Sequence, residues 1–350
     1  MDERLTIVSL GKHTRLGDIL EYALEGRTFD AVTADMLPEA ELTGRRILFA
    51  ISLDEYGMQP EALDCIRCLR AHPQALEGAT GALLLDGETE QHTKDLARTF
   101  ILDANSAGCR FIARPLVEAT GSLRNFDVLS GIHGVDRFTA YQRAARALVG
   151  RLVEDVPART ERPNILMLHA SNRGSSNTLA LALETAGLLA DTCDVTELSL
   201  HTDAIYDCNG CTYKACVHYA ERNGCFYGGV VPDAVFPAIE RCDALLLCCP
   251  NYNDAPGAHF LALNNRLNAL LLRGAPFRKA LFAIVVSGYS GGDIVAKQLL
   301  GGYCLNKPFS LPPRFALLET ASAPCSVFQQ PDIGTRLHAF ARNIEAQLRL

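Results

Sequence analysis

Four hydroxyl side chains, two amides and one guanidinium fall within eight residues near the middle of the chain. They follow a short apolar run, Asn164–His169, and precede an Ala- and Leu-rich stretch that begins at Leu179. A strand followed by a helix would place these donors beside the free N–H groups and the positive dipole end of the helix. Such an arrangement typically binds an anion, above all a phosphate. The side chains expected to hold it are Ser171, Arg173, Ser175, Ser176, Asn177 and Thr178.

The kind of phosphate follows from what this loop lacks. It has neither the Gly-Lys-Ser/Thr end of a P-loop nor the G-x-G-x-x-G of a dinucleotide-binding turn. Hydroxyls without a lysine suit a phosphate monoester bound without a metal ion, such as that of FMN. The alternative is an ordinary polar turn in which Thr178 lies near a helix N-terminus. The loop alone leaves both interpretations open.

The second half of the sequence alternates short apolar segments with helical patterns, which is typical of a parallel sheet with helical crossovers. Five such strands suit the doubly wound order 2-1-3-4-5, in which a ligand binds beyond the C-terminal ends of the first and third strands. The predicted strands are Ile165–His169, Asp194–Leu198, Ala244–Cys248, Leu281–Ser287 and Phe315–Glu319, and the predicted helices are Leu179–Ala190, Pro232–Arg241, Ala258–Leu272 and Asp293–Leu300.

The first half reads as an internal copy of the second half, at an offset of roughly 200 residues. For example, Ile47–Ser52 is similar to Leu245–Pro250. We therefore predict an α/β protein with two tandem flavodoxin-like doubly wound parallel sheets of order 2-1-3-4-5. The predicted boundary lies in a polar stretch that contains prolines, and it gives lobes at residues 1–156 and 157–350.

The loops of the first lobe lack the residues that would hold a phosphate. Its first loop, Gly11–Arg15, has no series of hydroxyls. Its third loop carries Asp86, Glu88 and Glu90, whose charges would repel an anionic ligand. We expect this lobe to be a degenerate copy without a cofactor, which serves packing, dimer contacts or covering of the second site.

Three loops of the second half follow, in order, the motifs of one known family. They are Ala170–Arg173 with Asn177 and Thr178, then Cys249–Tyr252 with Ala258 and Arg266, then Ser287–Gly292. On these residues the second half, about residues 163–345, resembles the NAD(P)H-dependent FMN reductase family. It is especially similar to the branch that includes iron–sulfur flavoproteins. The resemblance implies a flavodoxin-like fold, bound FMN and reduction of that FMN by NADH or NADPH.

The resemblance also implies roles for the loops. The first would hold the phosphate, the second would edge the isoalloxazine ring with Tyr252 packed on or beside it, and the glycines of the third would let the backbone approach the ring. Flavin performs the hydride chemistry, so no side-chain acid or base is expected to be catalytic. The residues expected around the ring are Pro250, Asn251, Tyr252, Asn253, Ser287, Gly288, Tyr289, Gly291 and Gly292.

Four of the thirteen cysteines follow the pattern C-x2-C-x4-C-x8-C between the predicted second and third strands. Four thiolates at such spacing can bind a [4Fe–4S] cluster or one zinc ion, and free or redox-active thiols are the third interpretation. In iron–sulfur flavoproteins the cluster lies in this same connection. The candidate metal ligands are Cys208, Cys211, Cys216 and Cys225.

Composition limits the classes of function. The 350 residues are 48% apolar and carry a net charge of −7, which is typical of a folded soluble protein and argues against nucleic-acid or membrane partners. We read no signal peptide, and the many cysteines favour a reducing compartment, so a cytoplasmic protein is expected. The expected partners are a nicotinamide nucleotide and a small-molecule or protein electron acceptor, and the family suggests a homodimer.

Two other functions compete with an FMN-dependent oxidoreductase. One is an electron carrier that binds FMN, with or without a cluster, and exchanges electrons with a partner protein. The other is a hydrolase, because Gly288–Gly292 matches G-x-S-x-G around Ser290, with Asp332 and His338 further along the chain. The hydrolase would leave the hydroxyl-rich loop unexplained and has no His-Gly-Gly run for an oxyanion hole.

Overall fold

The computed structural model describes residues 5–11, 13–171, 174–201, 205–222, 224–272 and 279–350. The chain divides into two compact units, Met1–Val156 with Leu311–Arg314, and Pro157–Ser310 with Phe315–Leu350. Within the described ranges, none of the helices has the length and apolar character needed to span a membrane.

The first unit contains a parallel sheet of five strands in the order β2-β1-β3-β4-β5. The strands are apolar over most of their length because both faces of the sheet are covered. Helices α1 and α5 pack on one face through residues such as Ile19 and Leu148. The elements are β1 (Leu5–Leu10), α1 (Thr14–Leu24), β2 (Asp30–Thr33), a 3-10 helix (Ala34–Glu39), β3 (Arg46–Leu53), α2 (Pro60–Ala71), β4 (Thr80–Gly87), α3 (Thr93–Ser106), β5 (Arg110–Ala119), a 3-10 turn (Arg124–Phe126), α4 (Asp127–His133) and α5 (Arg137–Glu154).

The second unit contains a sheet of seven strands whose main path is β7-β6-β8-β10-β11. One face packs against α6 and α11, where Phe340 meets Phe282 edge to face. The elements are β6 (Asn164–His169), α6 (Asn177–Leu189), β7 (Asp194–Ser199), α7 (Tyr213–Ala220), a π-helical segment (Val231–Val235), α8 (Phe236–Arg241), β8 (Ala244–Tyr252), β9 (Ala255–Pro256), α9 (Ala258–Leu271), β10 (Lys279–Ser287), α10 (Gly292–Leu299), a second π-helical segment (Leu300–Leu305), β11 (Phe309–Ser310), β12 (Ala316–Thr320), a 3-10 turn (Ser326–Gln329) and α11 (Ile333–Leu348).

The predicted fold class is confirmed, since the five-strand path of each sheet is parallel and follows the doubly wound order 2-1-3-4-5. The second sheet exceeds five strands for two reasons. The end of β8 turns back on itself and pairs antiparallel with β9. The fifth position is shared, because β11 pairs with the start of β10 and β12 with its end. The chain between them, Leu311–Arg314, belongs to the first unit.

Candidate functional site

The loop between β6 and α6 begins at the C-terminal end of the first strand of the second sheet. Ser171 is 6% exposed, and its Oγ is a buried atom without a hydrogen-bond partner among the described residues. Such an unpaired polar atom is costly unless something satisfies it. Asn172 and Arg173 lie outside the described residues, so the phosphate contact of Arg173 stays a prediction.

Ser176 is the N-cap of α6. Its backbone is extended, and its Oγ accepts a hydrogen bond from Leu179 N at 3.1 Å. This cap satisfies one of the free N–H groups of the first turn, and the helix start lies where the sequence predicts it, within two residues. Ser175 is exposed beside it, whereas Thr178 is buried. The cap is therefore Ser176, and Thr178 lies in the first turn, near the helix N-terminus as the polar-turn alternative has it.

Asn177 uses its side chain to hold the loop that follows β12. Its Nδ2 donates to Ala321 O at 3.3 Å and to Ala323 O at 2.8 Å, and its Oδ1 accepts from Val327 N at 3.1 Å. Both ends of the amide are thus occupied within the protein. In this arrangement Asn177 positions the loop, and a contact with phosphate falls to its backbone N–H.

The second predicted loop, after the end of β8, is a tight hairpin. Asn251 pairs with Pro256 and Tyr252 with Ala255, so only two residues form the turn. These two, Asn253 and Asp254, have φ of 52° and 58°. Positive φ at both positions defines a type I′ turn, and Asn and Asp tolerate that conformation better than other residues with a Cβ. The turn leaves the Tyr252 ring 57% exposed.

Asn251 ties this hairpin to the third loop, which follows β10. Its Nδ2 donates to Ser287 Oγ at 3.1 Å and to Ser290 O at 2.8 Å. Its Oδ1 is buried and, among the described residues, has no donor. The side chain thus fixes the distance between two loops and still offers one unused acceptor.

Gly291 is held against the same hairpin. Its φ is 82°, and a Cβ placed on it would lie 2.0 Å from Asp254 Oδ1. A Cβ there would displace the Asp254 carboxylate and would strain this left-handed φ, so the glycine permits the close approach. Gly288, by contrast, has open space around it, and Tyr289 is 87% exposed.

The three loops lie at one edge of the second sheet. Strands β6, β8 and β10 are parallel neighbours, with His169 opposite Cys248 and Val286 opposite Pro250. The C-terminal ends of adjacent parallel strands meet at the same edge, which is where doubly wound folds bind their ligands. The structure therefore brings the predicted phosphate loop and the predicted ring loops together.

A buried histidine supports this edge, and the sequence interpretation passed over it. His169 is 1% exposed, with Nε2 3.0 Å from Glu197 Oε1 on β7. Its Nδ1 accepts from Ser171 N at 3.3 Å. The available signal was a polar residue that ends an otherwise apolar strand, but its partner becomes apparent only when β7 is aligned beside β6.

The four candidate metal ligands are not assembled into a site. Cys208 and Cys211 are exposed and Cys216 and Cys225 partly buried. The described residues contain no group of three or more His, Cys, Asp or Glu side chains that could hold a metal ion. Burial, followed by the neighbouring thiols of Cys208, Cys211 and Cys225, raises the pKa of Cys216. The thiols are thus near enough to influence one another, and metal binding stays a prediction.

An assay of iron, acid-labile sulfide and zinc on anaerobically purified protein tests that prediction. A cluster requires the exposed thiols to move toward Cys216, since thiolates bind iron directly. Iron and sulfide together would support the cluster, and zinc alone would support a structural site. The absence of all three after anaerobic handling would leave the cysteines as free thiols.

Arg266 on α9 anchors the segment that carries these cysteines. Its guanidinium is 2% exposed and donates to the carbonyls of Tyr206, Tyr227 and Gly228 at 2.9 to 3.3 Å. These carbonyls stand at the two ends of the segment. The Arg266 side chain therefore holds the two ends of this segment together.

We expect Arg266→Met to lower the free energy of unfolding by about 2 kcal/mol, because three carbonyls lose a charged donor while the side chain keeps its length. Urea denaturation measures the change. Arg342→Met, on an exposed position of α11, is the matched control and should shift the value by less than about 0.5 kcal/mol. Equal effects of the two substitutions would contradict the anchoring role.

The corresponding edge of the first sheet is closed by an ion pair. Arg15 donates from Nε and Nη2 to the buried carboxylate of Asp86, at 2.7 to 3.2 Å. It also donates to the carbonyl of Gly87, the last residue of β4, and to the carbonyl of Gly121, which follows β5. Burial would lower the pKa of Arg15, but the carboxylate of Asp86 outweighs it and the pKa is raised. That this unit is a degenerate copy without a cofactor stays a prediction.

The hydrolase alternative gains no support from the geometry. His338 places Nδ1 2.8 Å from Gly334 O, within its own helix. Among the described residues, no hydrogen bond joins His338 to Asp332 or to Ser290. A triad needs both contacts.

The strand order and the three loops together define a flavodoxin-like domain. Residues 163–321 match the model of the family described as NADPH-dependent FMN reductase. The match confirms the resemblance of the C-terminal half to that family, and it supports a flavin-dependent oxidoreductase. None of the curated proteins matches the sequence.

Solved structures with related folds include the following three proteins. RosB with a bound 8-demethyl-8-formylriboflavin-5'-phosphate intermediate shares 13% identity, with 53% of this chain and 78% of that chain covered and a TM-score of 0.39. An NADH:FMN oxidoreductase in its apo form shares 16% identity, with 53% of this chain and 90% of that chain covered and a TM-score of 0.36. An azoreductase from Bacillus anthracis str. Sterne shares 11% identity, with 53% of this chain and 97% of that chain covered and a TM-score of 0.37. Similarity at this level carries no conclusion about function.

Proposed function

We propose that this protein is an FMN-dependent oxidoreductase. In this proposal the second unit binds FMN at the C-terminal edge of its sheet, and hydride passes from NADH or NADPH through the flavin to an acceptor. Two buried polar atoms that have no hydrogen-bond partner among the described residues carry the proposal, Ser171 Oγ in the first loop and Asn251 Oδ1 in the second. Both are buried at the sheet edge that the family match covers.

The residues at this edge fit FMN. A phosphate would take donors from the Ser171 and Ser175 hydroxyls and from free N–H groups at the start of α6, whose dipole also favours the negative charge. Asn251 Oδ1 would accept from an N–H of the ring, and Tyr252 offers an exposed aromatic face for packing.

When bound, the flavin supplies the hydride chemistry. The chain binds and orients it, and the site residues we name are amides, hydroxyls, glycines and aromatics rather than acids or bases. The Asn251 bridge and the close contact at Gly291 keep the two ring loops at a fixed separation. Such preorganised loops reduce the ordering cost of binding.

Flavin titration of the purified protein tests the first half of the proposal. We expect the fluorescence of FMN to be quenched when FMN binds the protein. We also expect FMN to bind more tightly than riboflavin, because riboflavin lacks the phosphate for which Ser171 and α6 provide donors. Ser171→Ala is the matched variant. It should weaken FMN about tenfold and riboflavin far less. Equal affinity for both flavins would contradict the phosphate site.

Anaerobic stopped-flow mixing tests the second half. NADH and NADPH are each mixed with the FMN-loaded protein, and bleaching of the flavin absorbance is followed. Rapid bleaching by either nucleotide supports the oxidoreductase. Slow or absent bleaching, with FMN still bound, favours the electron carrier that exchanges electrons with a partner protein. The proposal also includes a small-molecule or protein electron acceptor and a homodimer, and each of these needs an assay of its own.

A further inference from the structure

His169 holds one defined tautomer. A backbone N–H can only donate, so Nδ1, which accepts from Ser171 N at 3.3 Å, carries no proton. The ring proton is therefore on Nε2 and points to Glu197 Oε1 at 3.0 Å. The imidazole is buried and the carboxylate is 25% exposed. One side chain of β7 thus fixes which nitrogen faces the loop.

The bare Nδ1 fixes the first turn of the phosphate loop. By accepting from Ser171 N, it bends the chain back over the end of β6 within two residues. In this bend Ser171 is buried, and its Oγ has no hydrogen-bond partner among the residues that the structure describes. A loop turned otherwise would expose that hydroxyl to water or pair it elsewhere.

Packing alone does not explain the pair. The preceding residues Ile165 to Leu168 are apolar and nearly fully buried, and an apolar side chain at 169 would continue the strand. Burying an imidazole and part of a carboxylate costs desolvation energy that an apolar residue avoids. Buried polar groups of this kind are often retained where they orient a functional group.

We propose that His169 is a positioning residue for phosphate binding, which rests on the proposed function. Glu197 fixes the ring through Nε2, and Nδ1 holds the Ser171 amide so that its Oγ and the start of α6 face one phosphate. The pair contributes to recognition of the phosphate end of FMN and not of the ring.

Two substitutions separate the nitrogens of His169. In His169→Asn the side-chain oxygen takes the place of Nδ1 and can still accept from Ser171 N. In His169→Gln the amide nitrogen takes the place of Nε2 and can still donate to Glu197, but the Ser171 amide loses its acceptor. Affinities of FMN and riboflavin are measured by fluorescence quenching, with the melting temperature of each flavin-free variant as the folding check.

We expect His169→Gln to weaken FMN about tenfold and His169→Asn, which keeps the acceptor for Ser171 N but loses the donor to Glu197, only several-fold, with riboflavin within about twofold throughout. Glu197→Ala removes the carboxylate that holds Nε2 of His169, and it does so at a position that is itself partly exposed. It should weaken FMN several-fold, again without affecting riboflavin, and it serves as the second variant if His169→Gln does not fold.

Three results would overturn the inference. One is wild-type FMN affinity in both His169→Gln and Glu197→Ala. Another is an equal loss for FMN and riboflavin, which would mean general destabilisation. The third is failure of His169→Asn to bind better than His169→Gln. Wild-type protein that binds neither flavin would instead refute the proposed function, and this inference with it.

Discussion

FMN affinity is expected to fall about a hundredfold when Gly291 is replaced by alanine. The residue has a left-handed φ of 82°, and the new Cβ would overlap Asp254 Oδ1. The new Cβ would displace the Asp254 carboxylate, crowd Asn251 Nδ2 at 3.0 Å and strain the left-handed backbone, and we expect these changes to disturb Tyr252 and the acceptor on Asn251. The expected loss is therefore at the ring end of the site, and riboflavin should be weakened as much as FMN.

Gly334→Ala, on an exposed position of α11 outside the three loops, provides the control, because a Cβ there meets nothing within 4 Å. We expect it to bind FMN within about twofold of the wild type. Titration of both flavins, with far-UV circular dichroism to check folding, makes the comparison. Similar affinities for the two alanine variants would mean that the hairpin does not edge the ring.

Replacement of Arg15 by leucine should lower the free energy of unfolding of the first unit by about 3–5 kcal/mol, since it leaves the Asp86 carboxylate buried without its partner. The carboxylate is 1% exposed, so water cannot take over the role of the guanidinium. The carbonyls of Gly87, at the end of β4, and of Gly121, after β5, would also lose the hydrogen bonds that Arg15 donates to them. Urea denaturation, followed with a probe for each unit, measures the loss.

Two controls make this test specific. The double variant Arg15→Leu with Asp86→Leu should recover most of the stability, because replacing both partners of a buried pair by apolar residues is often neutral. Arg67→Leu removes a partner from the exposed pair with Asp64 and should change stability by less than about 0.5 kcal/mol. A loss for Arg67→Leu equal to that for Arg15→Leu would contradict the buried-pair explanation.

Much of the fold could be predicted from the sequence because the strands are buried on both faces. Such strands give continuous apolar runs, and β6 and β10 begin and end within two residues of the predicted strands Ile165–His169 and Leu281–Ser287. The hairpin of β8 and β9 and the divided fifth position were missed. The first depends on a turn with two left-handed residues and the second on four residues that belong to the other unit, and neither gives a periodic pattern.

The site was predicted less completely than the fold. Its loops come together as expected because parallel order alone decides where strand ends meet. The uses of individual side chains depend on contacts across the fold. Asn177 bonds to a loop about 150 residues away, and His169 needs Glu197 of the neighbouring strand. The phosphate contact of Arg173 and the metal site of the cysteines stay predictions.

Helix α6 owes its start to groups of the polypeptide itself. Ser176 and Asn177 complete their hydrogen bonds without help from a ligand. Under the proposed function, FMN would therefore meet a helix start that hydrogen bonds within the chain already define.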